Sequence, residues 1–255
     1  MAFRLDAYAR LLSRLRENGY SLRPVRAYFE APTLPAVHLK HDVDRLPARA
    51  VAMARAEHAL GAAGTYYFRC SAAGTFPAAA IREVASLGHE IGFHYECLVR
   101  ERGDGRAAAR RFERELAALR EIAPVVTVAA HGSPLSRTSN MGQSRGLDLA
   151  RLGLLGEPGV HFDFERCVYV TDTGGVFGSA HNVRDRVQGE NWPTPTPPDK
   201  LALALTPGRY PLVLLNTHPE RWPRGQLGML QATISDALAN AAKRWVHGRR
   251  TRDAH

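Results

Sequence analysis

The stretch AVHLKHDVDRLP, residues 36–47, decides the reading of the fold. At period two, Val37, Leu39, His41 and Val43 share one side and His38, Lys40, Asp42 and Asp44 the other, which is the alternation of a β-strand. Asp42 and Asp44 therefore point the same way at the strand's carboxyl end. The alanine-rich residues 47–64 then predict a helix, entered through Pro47 in its first turn and stopped at Gly61 or Gly64. Like charges side by side repel. Either Asp44 only caps that helix, or the pair is kept for chemistry.

The same theme repeats outward from this strand. Short apolar and aromatic runs, TYYFR (65–69), HEIGFH (89–94), VVTVAAH (125–131), CVYVTD (167–172) and PLVLLNTH (211–218), alternate with stretches of helical character at 77–87, 104–121 and 143–152. An amphipathic helix opens the chain within residues 1–20, and residues 226–246 read as helical. Strands alternating with helices predict a largely parallel sheet covered by helices, either a barrel or an open doubly wound sheet. At 255 residues such a chain reads as one domain spanning 1–255. Residues 173–200 lack either period and are expected to form a long loop over one end of the fold.

Composition narrows the function. The hydrophobic fraction of 45% and charged fraction of 23% are those of a globular protein. The net charge of +9 comes almost wholly from arginine, since lysine occurs only at Lys40, Lys200 and Lys243. The densest basic runs carry interspersed glutamate or lie at the chain end, so no basic face with interleaved aromatics points to nucleic acid. A positive balance suits an acidic substrate, such as a nucleotide-linked or lipid-linked sugar. Cys70, Cys97 and Cys167 are odd in number and show no C-x-x-C spacing, which predicts buried free thiols rather than disulfides or a zinc knuckle. No membrane span and no signal-like apolar core occur, so a cytoplasmic location is expected.

The strand ends carry the chemistry. The six runs finish in Asp42 and Asp44, Arg69, His94, His131, Asp172 and His218. In parallel α/β folds the carboxyl ends of the strands share one face, where active sites lie. Capping favours Ser, Thr or Asn over three histidines and an arginine. One carboxylate with two imidazoles is a usual ligand set for an open divalent-metal site, and a cation relieves the repulsion between the aspartates.

At these residues the chain resembles polysaccharide deacetylases of carbohydrate esterase family four, the NodB-homology group. HDVD is similar to that family's first motif, GHEIGFHYE to the approach to its second, HGSP to the place of the third, and LLNTHPERW to the fifth. The combination of HDVD, HYE, HGSP, TDTG and THPERW resembles most a subgroup found in bacterial O-antigen and capsule gene clusters. The resemblance implies a distorted (β/α)7 barrel and a metal-dependent deacetylase acting on an N-acetylated sugar intermediate of surface polysaccharide. It implies Asp42 as catalytic base, Asp44 and His94 as metal ligands and His218 as general acid. The ion implied is Zn2+, with Mn2+, Co2+, Ni2+ or Fe2+ as alternatives.

The second motif departs from the family, because Leu98 stands where another histidine is usual. His131 is taken as the third ligand instead. His89 is set aside, since five residues along a strand turn it to the face opposite His94. Tyr95, Glu96 and Arg184 are candidate substrate contacts. Arg69 and Asp172 either orient substrate or pair with each other. His38, His58 and His247 read as ordinary surface histidines. Two other functions stay open: a non-catalytic carbohydrate-binding or assembly protein, favoured by Leu98, and a hydrolase of another C–N amide bond on the same fold.

Overall fold

The computed structural model describes residues 3–225, apart from 134, 135, 137, 142, 180, 181, 183 and 184. The helix expected at 226–246, His247 and Arg184 lie outside the described residues.

Seven strands form one all-parallel sheet: β1 (Ser21–Arg23), β2 (Ala36–Val43), β3 (Thr65–Phe68), β4 (Glu90–Tyr95), β5 (Val125–Ala130), β6 (Cys167–Thr171) and β7 (Leu212–Thr217). Their order is β5-β4-β3-β2-β7-β6, with β1 beside the start of β2. The last strand thus pairs back onto β2, the first long one, so the strands run in cyclic order as in a barrel. The ring stays open between β5 and β6. This circular order resolves the choice left by the sequence in favour of a distorted (β/α)7 barrel over a doubly wound sheet.

Helices α1 (Leu5–Glu17), α3 (Pro47–Ala59), α4 (Ala78–Ser86) and α6 (Gly105–Arg120) cover the outer face. In α1, Tyr8, Leu11, Leu12 and Leu15 recur at helical spacing and are buried, each leucine contributing about 1.5–3 kcal/mol. Asp104 caps α6 through its side chain, which accepts from the Ala107 N–H at 2.9 Å. No such bond is made by Asp44: α3 begins after Leu46 with Pro47 in its first turn. A buried polar cluster ties the outer layer together. Glu57 of α3 receives the hydroxyls of Tyr8 and Tyr66 and lies 2.8 Å from His41 Nε2.

The inner face is a second apolar layer, including Tyr67, Ala129, Cys167, Tyr169 and Leu214. Tyr67 fits because its register partner is Gly92, where an added Cβ would lie 2.3 Å from the tyrosine ring.

Several expectations need correction. β1, α2 (Arg26–Glu30), α5 (Cys97–Arg100) and α7 (Pro158–His161) are additions to the elements expected, and the stretch 143–152 forms only a 3-10 turn, Gln143–Gly146. The irregular segment after residue 172 ends earlier than expected, at α8 (Pro198–Ala204). His38 is no surface residue: it is 1% exposed, because central strand β2 is buried on both faces. His58 is exposed, and the three cysteines are buried free thiols, as expected.

Candidate metal centre and active site

Asp44 follows β2, His94 lies in β4 and His131 follows β5, so three strands deliver three side chains to one end of the barrel. One ligand atom from each lies within 4.8 Å of the others. His94 Nε2 and His131 Nε2 are 3.4 Å and 3.5 Å from Asp44 Oδ1. Their rings meet edge to face at 5.3 Å.

The arrangement fits a divalent cation. Among the described residues, Asp44 Oδ1 is buried with no hydrogen-bond partner. His94 Nδ1 is bound to the Ala129 carbonyl at 2.9 Å and His131 Nδ1 to Glu96 Oε1 at 2.9 Å, so both imidazoles turn Nε2 toward Asp44. Burial disfavours charge on His131, but Asp44 and Glu96 outweigh it and push its pKa up to about 9. The same negative charge would favour a dication in place of that proton. Arg69 is attracted to the same negative spot, with Nη1 3.7 Å from Asp44 and Nη2 2.7 Å from Glu96. Leu98, which stands where the motif resemblance would place a histidine, packs against the core and offers no ligand.

Asp42 and His218 line the same cavity, of about 110 Å3, as the three ligand candidates. Asp42 is ion-paired with Lys40 at 2.5 Å and accepts from Asn216 Nδ2 at 3.0 Å. Burial alone would raise its pKa; Lys40, with His94 and His218, instead holds the carboxyl well below the usual range. His218 Nδ1 is 2.6 Å from Asp172 Oδ1. Burial opposes charge on the ring, yet Asp172 pushes its pKa up to about 10. Asp172 is fully buried and also accepts from the His218 backbone N–H and from Trp222 Nε1.

Of the expected substrate contacts, Tyr95 is placed elsewhere. Its ring is buried against Phe93 and Phe112 and its hydroxyl donates to Glu157 at 2.8 Å. Asp172 serves His218, and the pairing considered between Arg69 and Asp172 is replaced by Arg69 with Asp44 and Glu96. Arg69 and Glu96 line a wider cleft of about 780 Å3 that meets the smaller cavity at Asp44. His89 faces away, beside Glu57.

Sequence reasoning missed Lys40, Asn216 and Asp185. Asp185, from the irregular segment, accepts from Tyr169, Thr171 and Thr173 and lines the cavity with Arg186 and Val187. Lys40 could have been found, since it shares the period-two face of Asp42 and Asp44.

No protein-family model matches the chain. No curated protein matches it either. Among solved structures it is similar to a CE4 esterase from Streptococcus mutans, with 17% identity over 92% of this chain and 91% of that chain and a TM-score of 0.44. Among the described residues, no helix is long and apolar enough to cross a membrane.

Proposed function

We propose that this chain is a single-domain, metal-dependent deacetylase that hydrolyses the N-acetyl group of a sugar intermediate in cytoplasmic synthesis of a surface polysaccharide such as O-antigen. The observation that carries the reading is the convergence of Asp44, His94 and His131 beside Asp42 and His218 in one cavity. The polysaccharide setting rests on the resemblance of the five motifs quoted above. The cavity, at about 110 Å3, is smaller than the roughly 150 Å3 space that admits benzene, a size suited to an acetamido group. The wider cleft beyond Asp44 carries Arg45, Arg69 and Arg100, which suits a nucleotide or lipid pyrophosphate carrier.

Asp44, His94 and His131 would hold the ion, which supplies Lewis-acid polarisation of the scissile carbonyl and of the attacking water when bound. Asp42, oriented by Lys40 and Asn216, accepts a proton from that water as the new C–O bond forms. His218, kept protonated by Asp172, donates a proton to the departing nitrogen as the C–N bond breaks. Acetate and a free amine result.

The test is elemental analysis of protein purified without chelator, followed by acetate release from a panel of N-acetyl sugar nucleotides and other amides. About one metal per chain, with turnover lost but metal retained in Asp42→Ala, is the expected result. Failure to bind a divalent ion after reconstitution would overturn the reading in favour of a non-catalytic protein, and turnover confined to cyclic amides would move it to another C–N hydrolase.

A further inference from the structure

The two imidazoles of the candidate metal centre are oriented by different means. His94 sits inside β4, and its Nδ1 meets a backbone carbonyl, that of Ala129 in the neighbouring strand. The sheet itself holds this ring. His131 lies beyond the end of β5, where the chain has no regular structure and Ser133 adopts a positive φ of 42°. Its backbone is tied down by Tyr95 O, 2.8 Å from its N–H, and by Asn140 Nδ2, 2.9 Å from its carbonyl. Its ring Nδ1 is met by side chains, Glu96 Oε1 and Ser133 Oγ, each at 2.9 Å.

Glu96 is built for this contact. It stands two residues after His94, so the pleat sends both side chains to the same side. Oε1 accepts from His131 and from the Ser133 hydroxyl at 2.6 Å, while Oε2 accepts from Arg69 Nη2 at 2.7 Å and Arg100 Nε at 3.3 Å. Both oxygens are thus occupied by protein donors, which argues against the substrate contact expected from the sequence. An ionised carboxylate can only accept, so the hydrogen of the His131 pair must reside on Nδ1. Nε2 then carries the lone pair: it is met by Arg69 Nη1, a donor only, at 3.3 Å and faces Asp44 Oδ1 at 3.5 Å, where a cation would take the place of the guanidinium contact.

We propose that Glu96 is a positioning residue for the metal centre, fixing the ring and tautomer of His131 and thereby setting metal affinity. This inference rests on the metal-dependent reading above. Side chains in this relation to a ligating histidine change affinity by about 10–100-fold when removed.

The test compares Zn2+ affinity of wild type, Glu96→Ala and Glu96→Gln by competition with a chromophoric chelator, together with 15N NMR of the histidine side chains. Glu96→Ala should bind about 10–100-fold more weakly, and Glu96→Gln, whose amide oxygen still accepts from Nδ1–H, should recover part of the loss. In the zinc-loaded wild type, His131 should show a protonated Nδ1 and a metal-bound Nε2. Affinity in Glu96→Ala within twofold of wild type overturns the role of Glu96 while leaving the metal reading intact. Should Glu96→Ala not fold, the wild-type spectrum decides alone: zinc on Nδ1 of His131 refutes the proposal. Wild type that binds no zinc overturns both.

Discussion

Replacing Asp172 by asparagine keeps its volume and removes the charge that holds His218 protonated. The gap between an ordinary imidazole value of 6.5 and the value of about 10 reached by His218 corresponds to roughly 5 kcal/mol favouring the imidazolium, at about 1.4 kcal/mol per pH unit. Burial works against that charge, so without the carboxylate the His218 pKa should fall to 6.5 or below. The amide introduced at this position would face Nδ1 with a donor and push the ring hydrogen to Nε2. Because the folded-state pKa is raised, the stabilisation is fully present below the unfolded value near 6.5 and is lost as pH climbs through about 10. Wild type minus Asp172→Asn, measured by urea unfolding at pH 6, 8 and 10.5, should therefore show a stability difference of a few kcal/mol that shrinks at the highest pH. NMR titration of the His218 ring checks the pKa directly. In activity, the alkaline limb of the wild-type profile should lie near pH 10 and move below about 7 in the variant. A wild-type His218 that titrates near 6.5, or a stability difference flat from pH 6 to 10.5, would refute the reasoning.

Three further outcomes are expected. Lys40→Met removes the cation beside the buried Asp42 carboxylate and leaves it the Asn216 amide as donor; a loss of about 3–5 kcal/mol in urea unfolding is expected, and a loss below about 1 kcal/mol would mean the ion pair is not formed. Gly92→Ala would press a methyl group to 2.3 Å from the Tyr67 ring, lowering stability by about 1–3 kcal/mol, whereas an unchanged urea midpoint would show that the inner layer yields. Zn2+ at about 100 times its Kd should stabilise wild type by about 2.7 kcal/mol, reversed by chelator, and leave His94→Ala and His131→Ala unmoved; equal shifts in all three would place the ion elsewhere.

The strands were legible because each ends in a polar residue at the point where the apolar run stops. That pattern located Asp42, Asp44, His94, His131, Asp172 and His218 at the carboxyl ends of their strands without any knowledge of neighbours. Pairing across strands was not legible, since it depends on register. Lys40 meets Asn216 because β2 and β7 pair with those two residues opposite each other, and nothing within either strand announces it. The same holds for Tyr67 over Gly92. Asp185 lay further out of reach, in a segment with no period, where three hydroxyls around a carboxylate arise from tertiary folding alone.

Tyr95 and Glu96 show where the information was present and unused. In EIGFHYE the period-two rule that united Asp42 with Asp44 also unites His94 with Glu96 and sends Tyr95 to the opposite face. The structure obeys it: Tyr95 packs in the helix-covered core while Glu96 turns to His131. His38 is a failure of a different kind, of burial rather than direction. It stands on the inward face below Lys40 and Asp42, and in a central parallel strand that face is closed to water however polar its residues are. Burial holds its pKa down, to about 4, so the ring stays neutral at ordinary pH and its Nδ1 bonds the Pro24 carbonyl at 2.9 Å. The column His38, Lys40, Asp42, Asp44 thus runs from a neutral buried ring, through an internal ion pair, to an aspartate left without a hydrogen bond on Oδ1. Lys40 compensates Asp42, whereas the carboxylate of Asp44 faces the imidazoles of His94 and His131, and for that reason the proposed cation is assigned to Asp44 and the proposed base to Asp42.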